Sequence, residues 1–247
     1  MLVCDQVTKR YGAQPRNAVD GLSLSIGPGE IFGFLGPNGA GKSTTIKLLV
    51  GLLKPDHGTI SFLGHSLISD PLSYKRLIGY VADEPLFYER MSGLEHLSFI
   101  ADLYEIDTRE RTERIGELAE RLLLVDALND EISSYSHGMK QKLSIIAALL
   151  PSPRLLILDE PMVGLDPKAS YILKTLLAEF ATSGNTVFFS THVLEVAQQL
   201  CSSLGIIKEG TLLYNGTLKD LQSSKQEMDA TLEALFLELT DTGETLQ

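Results

Sequence analysis

The sequence predicts an α/β fold with a mostly parallel sheet, and three observations carry that expectation. Short, continuous apolar runs recur at 31–35, 155–158 and 186–190, the pattern of strands buried on both faces rather than one. Segments of helical periodicity alternate with them. The first run passes directly into Gly36-Pro37-Asn38-Gly39-Ala40-Gly41-Lys42-Ser43-Thr44, which fits G-x-x-x-x-G-K-[ST] and leads into an apolar helix at 45–50.

Strand, glycine loop and helix in that order give the pattern its chemistry. Glycines let the backbone close around phosphate oxygens, and successive N–H groups then point inward as an anion nest. The helix starting near Gly41 adds its positive end to the same place. Lys42 is placed to bridge β- and γ-phosphates, and the Ser43 hydroxyl to ligate Mg²⁺.

With 247 residues, 44% hydrophobic and 21% charged, the chain is long enough for a substantial core and is neither disordered nor fibrous. A formal charge of −11 and an isoelectric point near 4.9 argue against a general affinity for nucleic acid. Cys4 and Cys201 are far apart and lack metal-type spacing, so they read as small buried hydrophobes in a reducing compartment. No apolar run approaches the ~18 residues of a membrane span, and the first residues lack signal-peptide character. The expectation is a globule that neither crosses a membrane nor is exported by itself, with any membrane connection made through a partner.

In order, 2–11 and 19–26 read as strands, the second alternating at Leu22, Leu24 and Ile26, and Gly27-Pro28-Gly29 as a turn. Tyr11 ends the first strand, free to stack on a base or to pack. A short strand at 59–63 follows the phosphate-loop helix, and 74–78 leads into a strand ending near Asp83. The chain then turns helical. Ser92 and Glu95 have the spacing of a capping box, and 108–125 carries Ile115, Leu118, Leu122 and Val125 on one face. A helix at 144–150 stops at Pro151 and Pro153, a further helix spans 168–180, and 204–207 with 211–214 form a hairpin. Leu232, Leu235, Phe236 and Leu239 define an amphipathic helix near the C-terminus whose default is packing on the core. His57, His65 and His96 match no motif and read as surface or turn residues.

The run 155–158 closes in Asp159 and Glu160 at the carboxyl end of a buried strand, where open α/β sheets place ligands. An aspartate there can hold Mg²⁺ through water, complementing Ser43, and the glutamate beside it can polarise an attacking water.

Taken together, the order of these motifs over residues 2–220 resembles the ATP-binding cassette (ABC) ATPases, in particular the ATP-binding subunits of transporters. The resemblance implies a core of P-loop NTPase type, an antiparallel β subdomain at the N-terminus and an α-helical subdomain of about 84–150 inserted in an ATPase domain of 1–220; beyond it, 221–247 reads as the amphipathic helix and a tail. It implies that Tyr11 stacks on adenine, that Ser136, His137, Gly138 and Met139 form the signature that meets nucleotide, that Asp166 lies in the dimer-contact loop, and that His192 is the switch histidine beside catalytic Glu160. Asp83 falls where the family usually has a glutamine linking the metal to the transporter-facing loop, so it joins Ser43 and Asp159 as a metal-side residue. Being shorter and charged, it either holds metal-bound water more tightly or falls short. Tyr135, His137 and Met139 depart from the usual leucine, glycine and glutamine of the signature, while Ser136 and Gly138 are kept.

The implied cofactors are ATP and Mg²⁺. The implied partners are a permease in a separate chain and a second ATPase subunit, identical or different, with Lys42 of one and Ser136 of the other gripping each ATP; the implied place is the cytoplasmic side of the membrane. Within transporters, 84–95 and the short C-terminal tail look similar to bacterial exporters of drugs, peptides, lipids or antibiotics. A soluble cassette working outside transport, as in cofactor assembly, is the alternative, since such relatives also carry one cassette. A nucleotide sensor without catalysis is disfavoured by the presence of Asp159, Glu160 and His192.

Overall fold

The computed structural model describes residues 1–12, 15–224 and 231–242. β1 (Leu2–Lys9) and β2 (Val19–Ile26) pair antiparallel, Leu2 opposite Ile26 and Cys4 opposite Leu24, so alternate apolar residues share one buried face. β3 (Ile31–Leu35), wholly buried, leads through the glycine loop into α1 (Lys42–Leu49). β4 (His57–Phe62) returns to β1, and the two-residue β5 (His65–Ser66) completes an antiparallel sheet of order β2-β1-β4-β5.

α2 (Pro71–Arg76) precedes β6 (Ile78–Val81). Three longer helices then intervene: α3 (Gly93–Leu103), α4 (Thr108–Arg121) and α5 (His137–Leu149). β7 (Leu155–Asp159), α6 (Pro167–Thr182), β8 (Thr186–Thr191), α7 (Leu194–Leu200) and the antiparallel pair β9 (Ser203–Lys208) and β10 (Thr211–Gly216) follow, and α8 (Leu218–Ser224) and α9 (Leu232–Thr242) come last. The second sheet has the order β10-β9-β3-β8-β7-β6, parallel throughout except for β10. The α/β architecture, with its two sheets and intervening helices, is the one the sequence predicts.

The core lies on both faces of this sheet. On one side Leu156, Leu158, Val187 and Phe189 pack with α4, α5 and α6. On the other, Phe32, Phe34, Ile157 and Phe188 pack with α1 and the antiparallel sheet, and Phe32 stacks on Phe188 with ring centres 5.7 Å apart. A third cluster joins Leu35, Leu204 and Ile206 to Leu232, Leu235 and Leu239 of α9, so the predicted C-terminal helix does pack on the core. Each of those three leucines is fully buried, worth about 2 kcal/mol apiece. The expected tail at 243–247 and the stretch 225–230 lie outside the described residues.

Four local expectations are corrected. The helix expected at 144–150 begins seven residues earlier, at His137, because Ser136 caps it and accepts from the Met139 N–H at 3.3 Å. The helix expected to reach Val125 ends at Arg121, with Leu123 at φ 54° breaking the turn and residues 125–127 in a short 3₁₀ segment. Residues 71–76, for which no helix is expected and of which 74–76 belong to the expected approach to a strand, form α2, capped by Asp70 with Pro71 in its first turn. His96 is no surface residue. It is 9% exposed, edge-on to Phe87, and burial pushes its imidazole below the ordinary value. Cys4 and Cys201 are free thiols, Cys4 buried and Cys201 half-buried.

Candidate functional site

β3, β8 and β7 are neighbours in the sheet, and the parallel register sets Leu35 beside Thr191 and Asp159 beside Ser190. Three strand ends therefore deliver the glycine loop, the acidic pair and His192 to one edge. A cleft of about 410 Å³ opens there, lined by residues 37–39 and 41–44 of the loop together with Asp83, Asp159, Glu160 and His192. Gly36 and Ala40 lie buried in the loop itself.

The loop is shaped by backbone that only glycine adopts freely. Gly41, at φ 112°, caps α1, and a Cβ there would sit 2.4 Å from the Ala18 carbonyl oxygen. Lys42 is 8% exposed, and its ammonium donates to the carbonyls of Gly36 at 2.6 Å and Pro37 at 3.3 Å. Burial lowers its pKa, opposed by the charges of Glu160 and Asp159. A lysine held in this way presents its charge to the loop's concavity rather than to bulk water. The Ser43 hydroxyl is exposed at the first turn of α1.

Asp159 is buried at the end of β7, where it accepts from the Ser190 hydroxyl at 2.5 Å. Burial raises its pKa, the Ser190 bond opposes the rise, and Asp83 and Glu160 add to it. Asp83 is raised too, by burial first and then by Glu160 and Glu84, with His137 and His192 pulling the other way. Glu160 has φ 47°, a left-handed conformation costly for a residue with a side chain. Its N–H donates to the Ser190 carbonyl and hydroxyl, both at 3.2 Å, and its carboxylate sits 2.9 Å from His192 Nδ1 and accepts from the His192 N–H at 3.3 Å. Ser190, fully buried, is a site residue the sequence reading missed; a hydroxyl closing the apolar run 186–190 was its signal.

The donors facing the cleft are hard oxygens: the Ser43 hydroxyl and the carboxylates of Asp83 and Asp159. Among the described residues no three His, Cys, Asp or Glu side chains converge closely enough to hold a metal alone. Such a set fits Mg²⁺, which takes few protein ligands and completes its shell with water and phosphate.

The family model described as ABC transporter matches residues 19–163. The chain belongs to the ABC transporter family. This ABC subunit is 38% identical over 224 residues to the linearmycin resistance ATP-binding protein LnrL of Bacillus subtilis, covering 90% of this chain and 71% of that one. It is 38% identical over 207 residues to the daunorubicin/doxorubicin resistance ATP-binding protein DrrA of Streptomyces peucetius, spanning 84% of this chain and 63% of that relative's length. A solved ATP-binding subunit of an ABC transporter superposes with TM-score 0.92 at 35% identity, covering 97% of this chain and 99% of the other. The dimeric ATP-binding cassette MJ0796, solved in a post-hydrolysis state bound to ADP and Pi, superposes with TM-score 0.80 at 26% identity, covering 88% of this chain and 99% of that one.

In this ABC subunit the remaining sequence-predicted residues are not among those that line the cleft. Ser136 and His137 are exposed at the start of α5, with Gly138 and Met139 behind them. Tyr135 explains its departure from leucine: its ring is buried and its hydroxyl donates to the Ala127 carbonyl at 2.6 Å. Asp166 caps α6, accepting from the Ala169 N–H at 2.8 Å, and that bond holds its carboxyl below the ordinary value. Tyr11 lies just past β1, 37% exposed, with its hydroxyl 3.4 Å from that of Thr44. Among the described residues no helix is long and apolar enough to cross a membrane.

Proposed function

We propose that this chain is the Mg²⁺-dependent ATPase of an exporter, working with a separate permease and a second ATPase subunit on the cytoplasmic side of the membrane. The observation that carries this reading is Glu160 bonded to His192 in the same cleft as Lys42 and Asp159. Lys42 and the N–H groups of the loop bind the β- and γ-phosphates, and Tyr11 stacks on the adenine. Ser43, Asp159 and Asp83 hold Mg²⁺, which when bound neutralises phosphate charge and orients the triphosphate. Glu160 takes a proton from the water whose oxygen attacks the γ-phosphorus, and ADP leaves as the bond to its β-phosphate oxygen breaks. His192 fixes the Glu160 carboxylate through Nδ1, leaving its other ring nitrogen for the γ-phosphate.

Ser136, His137, Gly138 and Met139 on α5 serve the nucleotide of a second subunit, and Asp166 lies at that contact. Exposed Ser136 retains an O–H donor for a phosphate while its oxygen caps the helix. For the permease, the face beside Asp83 is favoured: a groove of about 850 Å³ lined by Leu86, Phe87, Ile100 and Tyr104, with Leu86 96% exposed. We take 1–220 as the ATPase domain, with 84–150 inserted and 221–247 appended. The resistance functions named for LnrL and DrrA favour antibiotic-like cargo.

The test is ATP turnover by the purified chain with Mg²⁺ and with a chelator, beside Glu160→Gln. We expect turnover only with Mg²⁺, and a variant that binds ATP, loses at least about a hundredfold in kcat and accumulates as a dimer. Normal turnover in Glu160→Gln removes that residue from the mechanism, and a native complex lacking any polytopic membrane protein removes the transport role.

A further inference from the structure

We infer that Gln141 is a positioning residue that ties the helix carrying Ser136 to Glu160 of the same chain; the inference rests on the catalytic reading of Glu160 given above. Gln141 lies in the second turn of α5 and is 1% exposed. Its Nε2 donates to the Pro161 carbonyl at 3.4 Å, and among the described residues its Oε1 is buried with no hydrogen-bond partner. A buried amide with one long bond is expensive, and an apolar side chain of the same size would cost less. What the amide supplies is a grip on Pro161.

Pro161 directly follows Glu160, whose left-handed backbone persists only while its surroundings over-determine it. On the upstream side Ser190 binds the Glu160 N–H, and the Glu160 carbonyl accepts from Val163 at 3.1 Å. Pro161 has no N–H, so its carbonyl is its only backbone handle, and Gln141 takes it. Farther along the same loop, α5 makes a second hold. The His137 ring lies so close to Gly164, at φ 77°, that a Cβ there would sit 2.1 Å from His137 Cδ2, and the Gly164 carbonyl approaches Gly138 in the same way at 3.1 Å.

The loop from Glu160 to Leu165 is thus bracketed at both ends by the first two turns of α5. Movement of that helix tip, as when Ser136 meets a nucleotide held by the neighbouring subunit, shifts the backbone that aims the Glu160 carboxylate. Gln141 passes the state of one nucleotide to hydrolysis at the other.

Gln141→Leu separates positioning from mere structure, since it keeps the volume and removes the orphaned oxygen. We expect an unchanged or higher Tm, ATP affinity and KM within about twofold of wild type, and kcat lower by about tenfold. Should that variant not fold, Gln141→Met carries the same comparison. Wild-type kcat in the folded variant overturns the inference while leaving the proposed function intact, as does a joint loss of Tm, affinity and kcat. A wild-type chain that turns over no ATP sinks the proposed function, and the inference with it.

Discussion

The cleft and the tip of α5 are two candidate nucleotide surfaces of opposite construction. In the cleft, Lys42 and Asp159 are buried and Glu160 is strained, each held by backbone or by Ser190. At the tip, Ser136 and His137 are exposed and are not among the residues that line that cleft. One surface is assembled by the fold itself, whereas the other is displayed by it. A finished surface binds alone, and a displayed one acts only when something is brought to it.

That contrast can be broken at either end. The largest effect is expected from Lys42→Ala, which removes the cleft's buried cation and should weaken nucleotide affinity at least about a hundredfold, read by titration of a fluorescent ATP analogue. An unchanged affinity would move the nucleotide elsewhere. Ser136→Ala should leave that affinity untouched in dilute, monomeric protein yet lower turnover about tenfold at concentrations that allow pairing, with about 1 kcal/mol lost in stability for the missing cap. Equal losses of affinity in the two variants would erase the distinction.

The smallest effect concerns stability and has a defined sign. The folded Asp159 carboxyl lies above its ordinary value of 3.8, so the folded state holds that proton more tightly than the unfolded chain. Its charge therefore costs stability: the penalty grows as pH rises from about 3.8 through the raised value and is complete beyond it. Asp159→Asn should raise the Tm of nucleotide-free protein at neutral pH, with the gain fading toward pH 4, and should abolish the further rise that Mg·ATP gives wild type. A lower Tm at neutral pH would contradict the direction.

Much of the cleft was legible because its signals are local. β3, the glycine loop and the end of β7 announce themselves in contiguous residues, and the parallel register does the rest. The start of α5 was misplaced because the apolar period begins near Ser144, whereas Ser136 sets the helix by capping. Asp70-Pro71 was a start signal of the same kind, present and unread. His96, Ser190 and Gln141 escaped for another reason: whether a polar side chain is buried, and what it then needs, depends on strands and helices distant in sequence.

The placement of α9 has a practical corollary. Its three leucines roof Leu35, the last residue before the glycine loop, together with Leu204 and Ile206. Trimming the chain ahead of residue 232, a common step when tidying an expression clone, would bare a greasy strip against the strand that presents the phosphate cradle, and the shortened protein should be sticky and prone to clump.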